Sequence, residues 1–317
     1  FAFSYISFML IFTLPMALGV TMMGNISVSK LISLWFRKYT GRALGIASVG
    51  VSFAGFVFPN LTSFLLGDLG LTWREAYLLF GVLIILINVP VVYLFIVNKP
   101  SDINQMPDGE EIAGNTEDAS GIDWAIPDLL KDRNFWVLSL VFAIQFCSMM
   151  GILSHLTFFS EGAGWSLSWG AFIFSMYAWP AMFSKVFFGW LVENKMDARV
   201  AVSIAILIQA IATLLMIFVE SPEQMVVLVM IFGFGGGSAL PLSNILFNQA
   251  YTNKSFGKAR GAAQPFISIF QISGTLVAAR MFDVFGNYEL AFLTLGFILI
   301  VPIIAIWFMK IESKLAS

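Results

Sequence analysis

Gly41-Arg42-Ala43-Leu44-Gly45 returns 216 residues later as Gly257-Lys258-Ala259-Arg260-Gly261, and Trp73-Arg74-Glu75-Ala76-Tyr77 is echoed at an offset of 215 by Tyr288-Glu289-Leu290-Ala291-Phe292. Two patterns whose offsets differ by a single residue mean that the same helices are used twice in the same orientation, a parallel repeat. The first pattern in each copy opens a run without Asp, Glu, Lys or Arg, Ala43 to Gly67 and Gly261 to Ala279. Seven more such runs cover Phe1 to Ser29, Ala76 to Asn98, Asn134 to Ser160, Gly162 to Ser184, Val200 to Val219, Gln224 to Asn253 and Leu290 to Met309. A helix needs about 20 residues to cross roughly 30 Å of hydrocarbon, and every run meets or closely approaches that length. The runs are apolar on both parities, whereas a membrane barrel alternates at period two. Nine transmembrane helices, a to i, are expected.

Composition agrees. Of 317 residues 59% are apolar and 11% charged, against about 45–50% and 25% in soluble domains, which excludes a water-soluble globule. Seventeen Lys and Arg against 19 Asp and Glu leave a net charge of −2, so no basic field exists for nucleic acid. The single cysteine, Cys147, excludes a disulfide framework or thiolate metal cluster, and neither metal nor cofactor is expected.

Topology follows from Lys and Arg, which collect in cytoplasmic loops. Loops a/b (Arg37, Lys38, Arg42), c/d (Lys99, Lys131, Arg133), e/f (Lys195, Arg199) and g/h (Lys254, Lys258, Arg260), with the tail (Lys310, Lys314), hold 13 of the 17, and the opposite loops hold Arg74 and Arg280. Linker and C-terminus are therefore expected in the cytoplasm, with the protein in the plasma (inner) membrane. Residues 100–133 carry nine of the 19 acids and read as a cytoplasmic linker; its end, Ile122 to Lys131, is either a short surface helix or coil interrupted by Pro127. The division expected is 1–99, the linker, and a bundle over 134–317. Under the repeat, helices a, b and c match g, h and i, leaving d, e and f without partners. The expectation is that three helices before Phe1 are absent and that this is a nine-helix piece of a 6 + 6 protein.

Several motifs in order resemble the major facilitator superfamily, within it the monocarboxylate transporter and oxalate/formate antiporter branch. Trp35-Phe36-Arg37-Lys38-Tyr39-Thr40-Gly41-Arg42-Ala43-Leu44-Gly45, continued by Gly50, Gly55 and Pro59, is similar to that branch's signature between its fourth and fifth helices. Leu71-Thr72-Trp73-Arg74, Pro100, Met106-Pro107-Asp108-Gly109 and Asp132-Arg133-Asn134-Phe135-Trp136 resemble the start of the sixth helix, the central loop and the start of the seventh. The resemblance implies family helices 4 to 12. Gly189-Trp190-Leu191-Val192-Glu193 with Arg199 resembles the second cytoplasmic gating motif, with Asn194 and Met196 at positions usually basic and Gly. Gly189, Glu193, Arg199, Arg37 and Arg42 are then gating candidates; a solvated loop charge is the alternative for Glu193.

Two basic side chains fall inside apolar runs. Lys30 lies seven residues before Arg37, within snorkelling reach of the interface. Lys185 lies seven before Val192, about 10 Å deep at 1.5 Å per residue, and all 19 acids fall in loops, helix ends, linker or tail. An uncompensated intramembrane charge is expensive and normally kept for a function. The resemblance places Lys185 where the branch has a carboxylate-binding Arg, and Ala181 where it has an acid. Lys185 is thus a substrate-anchor candidate, with snorkelling or pairing to an absent helix as the alternative. His155, the only histidine, is a proton-relay candidate or a hydrogen-bonded structural residue. The intramembrane amides and phenol Asn25, Gln145, Tyr177, Asn244, Gln264 and Gln271, with Asn248, either contact substrate or tie helices together. Gly233-x-Gly235-Gly236-Gly237 reads as close helix packing and a hinge rather than a nucleotide loop.

The expected function is secondary active transport of a small organic anion, a monocarboxylate, by alternating access with proton coupling or exchange, in a monomer partnered by its solute and the bilayer. The rivals are a transport-inactive sensor or truncated product, a carrier of a non-anionic solute, and an embedded enzyme. One His and no intramembrane acid argue against an enzyme.

Overall fold

In the computed structural model, which describes residues 4–36, 39–109, 123–194 and 196–310, eight of the nine expected runs fold as helices long and apolar enough to cross a bilayer. No strand occurs among the described residues.

The first expected run differs. It divides into α1 (Tyr5–Ile11), α2 (Ala17–Met23) and α3 (Asn25–Trp35). Pro15 supplies no N–H, and the chain around it widens into a π turn over Phe12–Met16. Gly24, at ψ −178°, leaves helical space and separates α2 from α3.

The remaining elements follow the uncharged runs. They are α4 (Thr40–Ser63), α5 (Trp73–Phe95), the one-turn α6 (Ile126–Leu129), α7 (Arg133–Leu153), α8 (Leu156–Gly162), α9 (Leu167–Met176) and α10 (Ala178–Asn194). After these come α11 (Ala198–Leu215), α12 (Pro222–Gly237), α13 (Ala239–Phe285), α14 (Glu289–Phe297) and α15 (Ile300–Ala305). Local sequence sets their starts: Thr72 and Glu75 form a capping box on α5, and Asp132 caps α7. Of the linker end only one turn, Ile126–Leu129, is helical, with Pro127 in the first turn of α6, where its missing N–H has no helical partner to lose; Ile122 lies outside the described residues. The repeat is visible as geometry, since α14 begins 216 residues after α5.

A second difference lies at the expected g/h loop, where α13 is helical through all 47 residues. A straight helix would separate Asn244 from Arg260 by about 24 Å at 1.5 Å per residue. Yet Arg260 Nε donates to Asn244 Oδ1 at 3.3 Å, so the chain reverses between them within helical backbone geometry.

Side-chain contacts sort the turns onto two faces. Trp35 Nε1 donates to the Val97 carbonyl, Asn134 and Lys310 exchange two hydrogen bonds of 2.9 Å, and the 251–258 turn receives Asp123 and Trp124. All of these lie on the face that carries the linker. The turns near 64–72, 154–166, 218–222 and 285–289 close the other.

Apolar packing concentrates in α7–α15, around Phe135, Phe142, Phe188, Phe247 and Tyr251 on the linker half and Leu156, Phe232 and Phe292 on the other. By contrast α5 is exposed around almost its whole circumference. Small residues let backbones touch. A Cβ on Gly274 would overlap the Cys147 carbonyl of α7, and one on Gly151 would meet Gly274 O at 2.9 Å. The glycines of α12 do the same: a Cβ on Gly235 would lie 2.6 Å from the Ala205 carbonyl and one on Gly237 2.5 Å from Ala181. These are the close approaches typical of helix packing in lipid.

Gly274→Ala is therefore expected to destabilise the α7–α13 contact by about 1–3 kcal/mol, the range for overpacking. Gly81→Ala, which has open space on α5, should be neutral or stabilising. Thermal unfolding of detergent-solubilised protein measures both.

Candidate functional site at the α4–α10 and α3–α13 interfaces

One face of α4 carries Gly45, Ser48, Ser52 and Gly55 at spacings of three and four, a stripe of small residues on one side of a helix. Against it packs α10. A Cβ on Gly45 would stand 3.0 Å from the Lys185 carbonyl, and one on Gly55 would stand 3.5 Å from the Ala178 methyl, so the helices run antiparallel in near contact.

Lys185 occupies this seam with 4% of its surface exposed. Its ammonium donates to the Ser48 carbonyl and to Ser52 Oγ, each at 2.8 Å. The sequence left Lys185 either awaiting a counter-charge, snorkelling, or paired to an absent helix. The structure shows a buried ammonium with two neutral acceptors across the seam and no carboxylate among the described residues. Two such hydrogen bonds offset part of the desolvation of the ion, and no described acid compensates its charge.

Eight residues further along α10, about 12 Å by helical rise, Glu193 closes the linker end of the same seam. Its Oε1 accepts from the backbone N–H of Arg42 at 2.7 Å, and its Oε2 lies 2.7 Å from Arg42 Nε. The side chain of Tyr39, the cap residue of α4, makes no capping hydrogen bond, and a carboxylate from α10 caps α4 from outside. A negative charge there also meets the positive end of the helix dipole. Asn194 adds a contact of 3.5 Å to Arg42 Nη2. Gly189 is buried one turn before Glu193.

Other candidates go elsewhere. Arg199 turns back onto Asp197, the cap of α11, at 2.6 Å and reaches the Met309 carbonyl, so it ties turns of its own bundle. Those hydrogen bonds hold the Asp197 carboxyl below its ordinary value; the cap is ionised at neutral pH and lost only on acidification. Arg37 and the side chain of Asn25 lie outside the described residues.

Gln145 is buried and donates to Gln209 Oε1 at 3.3 Å, while Tyr177, at the α9–α10 joint, donates to Met149 Sδ at 3.1 Å. Both are ties inside the α7–α12 packing. Gln264 donates to Ser268 Oγ on its own helix, and Gln271 lies half-buried seven residues on.

Asn244 crosses between halves, with Nδ2 donating to Ser29 Oγ of α3 at 3.1 Å and Oδ1 accepting from Arg260. Arg260 is a correction to the loop position read from sequence, being 4% exposed.

His155 stands between α7 and α8 rather than inside one helix. Its Nε2 lies 3.1 Å from the Thr275 carbonyl, which can only accept, so the proton sits on Nε2. Nδ1 lies 3.1 Å from the Tyr288 hydroxyl, within hydrogen-bond distance; burial holds that phenol above its ordinary value. Both ring nitrogens are engaged. No group of three or more His, Cys, Asp or Glu converges among the described residues.

Comparison with known proteins fits this architecture. The Major Facilitator Superfamily family model matches residues 1–222 and 168–317, and the chain belongs to that family, whose members are integral membrane transporters rather than enzymes. It is similar to monocarboxylate transporter 13 of Bos taurus, 24% identical over 84% of this chain and 59% of the relative. An MFS-type transporter of Gibberella moniliformis is 22% identical over 81% of this chain and 58% of its own length. The chain thus spans about three-fifths of the curated relatives it matches. Among solved structures it resembles the human organic anion transporter MFSD10, with a TM-score of 0.68 and 16% identity over 89% of this chain and 68% of that one. The E. coli fucose:proton symporter FucP has a TM-score of 0.61 at 13% identity, over 89% of this chain and 72% of its own.

Ser48, Ser52 and Gln209 were not singled out from sequence, although the Gly45-Ser48-Ser52-Gly55 spacing was readable as a packing stripe. If Glu193 caps α4 as well as pairing with Arg42, Glu193→Gln should cost less stability than Glu193→Ala, which removes the acceptor too, by about 1 kcal/mol of capping. Raising salt to 0.5 M should narrow the gap between wild type and Gln while leaving that between Gln and Ala. Melting temperatures of the three proteins at two salt concentrations check this.

Proposed function

We propose that the chain is part of a secondary transporter of a small organic anion, a monocarboxylate being the best fit, that works by alternating access in the plasma membrane as a monomer with its linker in the cytoplasm. The observation that carries the reading is the Lys185 ammonium, buried between α4 and α10 with two neutral acceptors and no acid among the described residues. A carboxylate is the ligand that adds to this site what it lacks, a negative charge in a water-poor seam.

The same geometry supplies a coupling device. Ser48 and Ser52 on α4 hold the ammonium while the cytoplasmic side is closed, and Glu193 with Arg42 caps the closure. A carboxylate that takes the ammonium weakens the α4–α10 contact, so its differential affinity for the two states drives the change in access. In this reading Lys185 is the anchor, Glu193 and Arg42 are the gate, and residues 1–99 and 134–317 are the two moving bodies joined by the linker.

His155 serves as a tie among α7, α13 and Tyr288, and the energy source is exchange or proton movement through the solute. Asn244 lies on the moving interface, whereas Gln145, Tyr177, Gln264 and Gln271 shape the bundle behind it. A second reading has a specific observation in its favour: because Lys185 already has two acceptors, it could serve only as an interface lock in a carrier of a neutral solute.

Uptake of labelled pyruvate into proteoliposomes by the full-length protein separates them. Lys185→Ala should lower saturable uptake at least tenfold, in line with about 1.5–3 kcal/mol for a charged hydrogen bond, and Lys185→Arg should retain more of it than Ala. Undiminished saturable uptake in the Ala variant removes the anchor role.

A further inference from the structure

We propose that Arg260 is a second anion site, nearer the linker face than Lys185, which takes a small carboxylate when α3 and α13 part. The idea goes beyond the anchor at Lys185 and borrows from that reading only the solute's chemical class.

Arg260 follows the 251–258 turn of α13 by two residues, so by helical rise it lies nearer the linker face than Lys185. Its guanidinium is short of partners. Nε donates to Asn244 Oδ1 at 3.3 Å, the guanidinium carbon stands 5.4 Å from the centre of the Phe247 ring, and Nη1 is buried with no hydrogen-bond partner. No described carboxylate pairs with it.

The contrast with its neighbours sharpens the point. On the same face Lys258 takes Asp123 at 2.7 Å, and Asp132 accepts from the Tyr251 hydroxyl. The described acids near this turn, Asp123 and Asp132, are spent on other groups, while the buried Arg260 is left with a neutral amide and a ring. A guanidinium presents a planar fork that fits a carboxylate with two parallel hydrogen bonds.

Closure of the site depends on the other half. Asn244 uses its second arm to donate to Ser29 Oγ on α3 at 3.1 Å. Separation of α3 from α13 breaks this bond and opens the guanidinium to the linker side. The arrangement parallels Lys185, also on the second half and also covered by serines of the first. A carboxylate or a lipid headgroup phosphate could supply the charge; the position between the halves, behind Asn244 and Ser29, favours the solute.

The test counts labelled pyruvate bound per chain in full-length protein in neutral detergent. Wild type should bind two; Lys185→Gln and Arg260→Gln should each bind one, and the double variant none. Arg260→Lys should keep two sites with the second weakened by about threefold to tenfold, reflecting loss of the two-pronged contact. Asn244→Asp places a carboxylate beside Arg260 and should also leave one site, in a protein whose charge balance at this point is improved; it decides the matter if Arg260→Gln does not fold.

Stoichiometry unchanged in both Arg260→Gln and Asn244→Asp overturns the proposal and leaves Lys185 as it was. Loss of one site in Arg260→Gln with no change in Lys185→Gln supports Arg260 and removes Lys185. An effect of Arg260→Gln seen only with added phosphatidylglycerol assigns the site to lipid and overturns the proposal as well.

Discussion

A single ammonium group, enclosed between α4 and α10, constrains much of what this protein can do. Its hydrogen bonds to the Ser48 carbonyl and Ser52 hydroxyl join two halves of the chain through neutral acceptors. Both acceptors are neutral, and a carboxylate is in general a stronger partner for an ammonium than a carbonyl or a hydroxyl, so under the proposed function this contact is exchangeable. A buried Lys–Glu pair here would have fixed the halves together; an apolar pair would have had nothing to exchange.

Around that contact the rest of the interface is built from small residues and borrowed caps. Gly45 and Gly55 let α4 approach α10 closely enough for the lysine side chain to reach across, and Glu193 supplies the helix cap that Tyr39 does not. On the second seam Asn244 performs a similar crossing with Ser29. Polar groups within one bundle behave differently. Gln145 with Gln209, and Tyr177 with Met149, are internal ties between α7 and the α9–α11 segment.

The helices were legible from the spacing of charges alone, because a bilayer forces apolar runs of a length set by its thickness. The exceptions have local causes invisible to a count of charges: Pro15 and Gly24 break the first run, and helical backbone continues through the 251–258 turn. The site was legible in part. Lys185 and Asn244 stood out as a charge and an amide inside apolar runs, Glu193 and Arg42 through motif resemblance, and all four lie at the α4–α10 and α3–α13 contacts. The partners of Lys185 and Asn244 did not stand out, since serines in an apolar helix carry no sign of which neighbour they face. Arg260 was hidden for a related reason: two residues from a turn, burial depends on how sharply the chain reverses, and that is a property of packing.

The central claim is that the α4–α10 seam opens when an anion takes the Lys185 ammonium. Its most direct test is the distance distribution between spin labels at Ile46 on α4 and Ile204 on α11, both exposed, in full-length protein with and without pyruvate. The account predicts a longer-distance population that grows with pyruvate and is independent of pyruvate once Lys185 is replaced by Gln. A pyruvate response that persists unchanged in the Gln protein, or no response in the wild type, would contradict it.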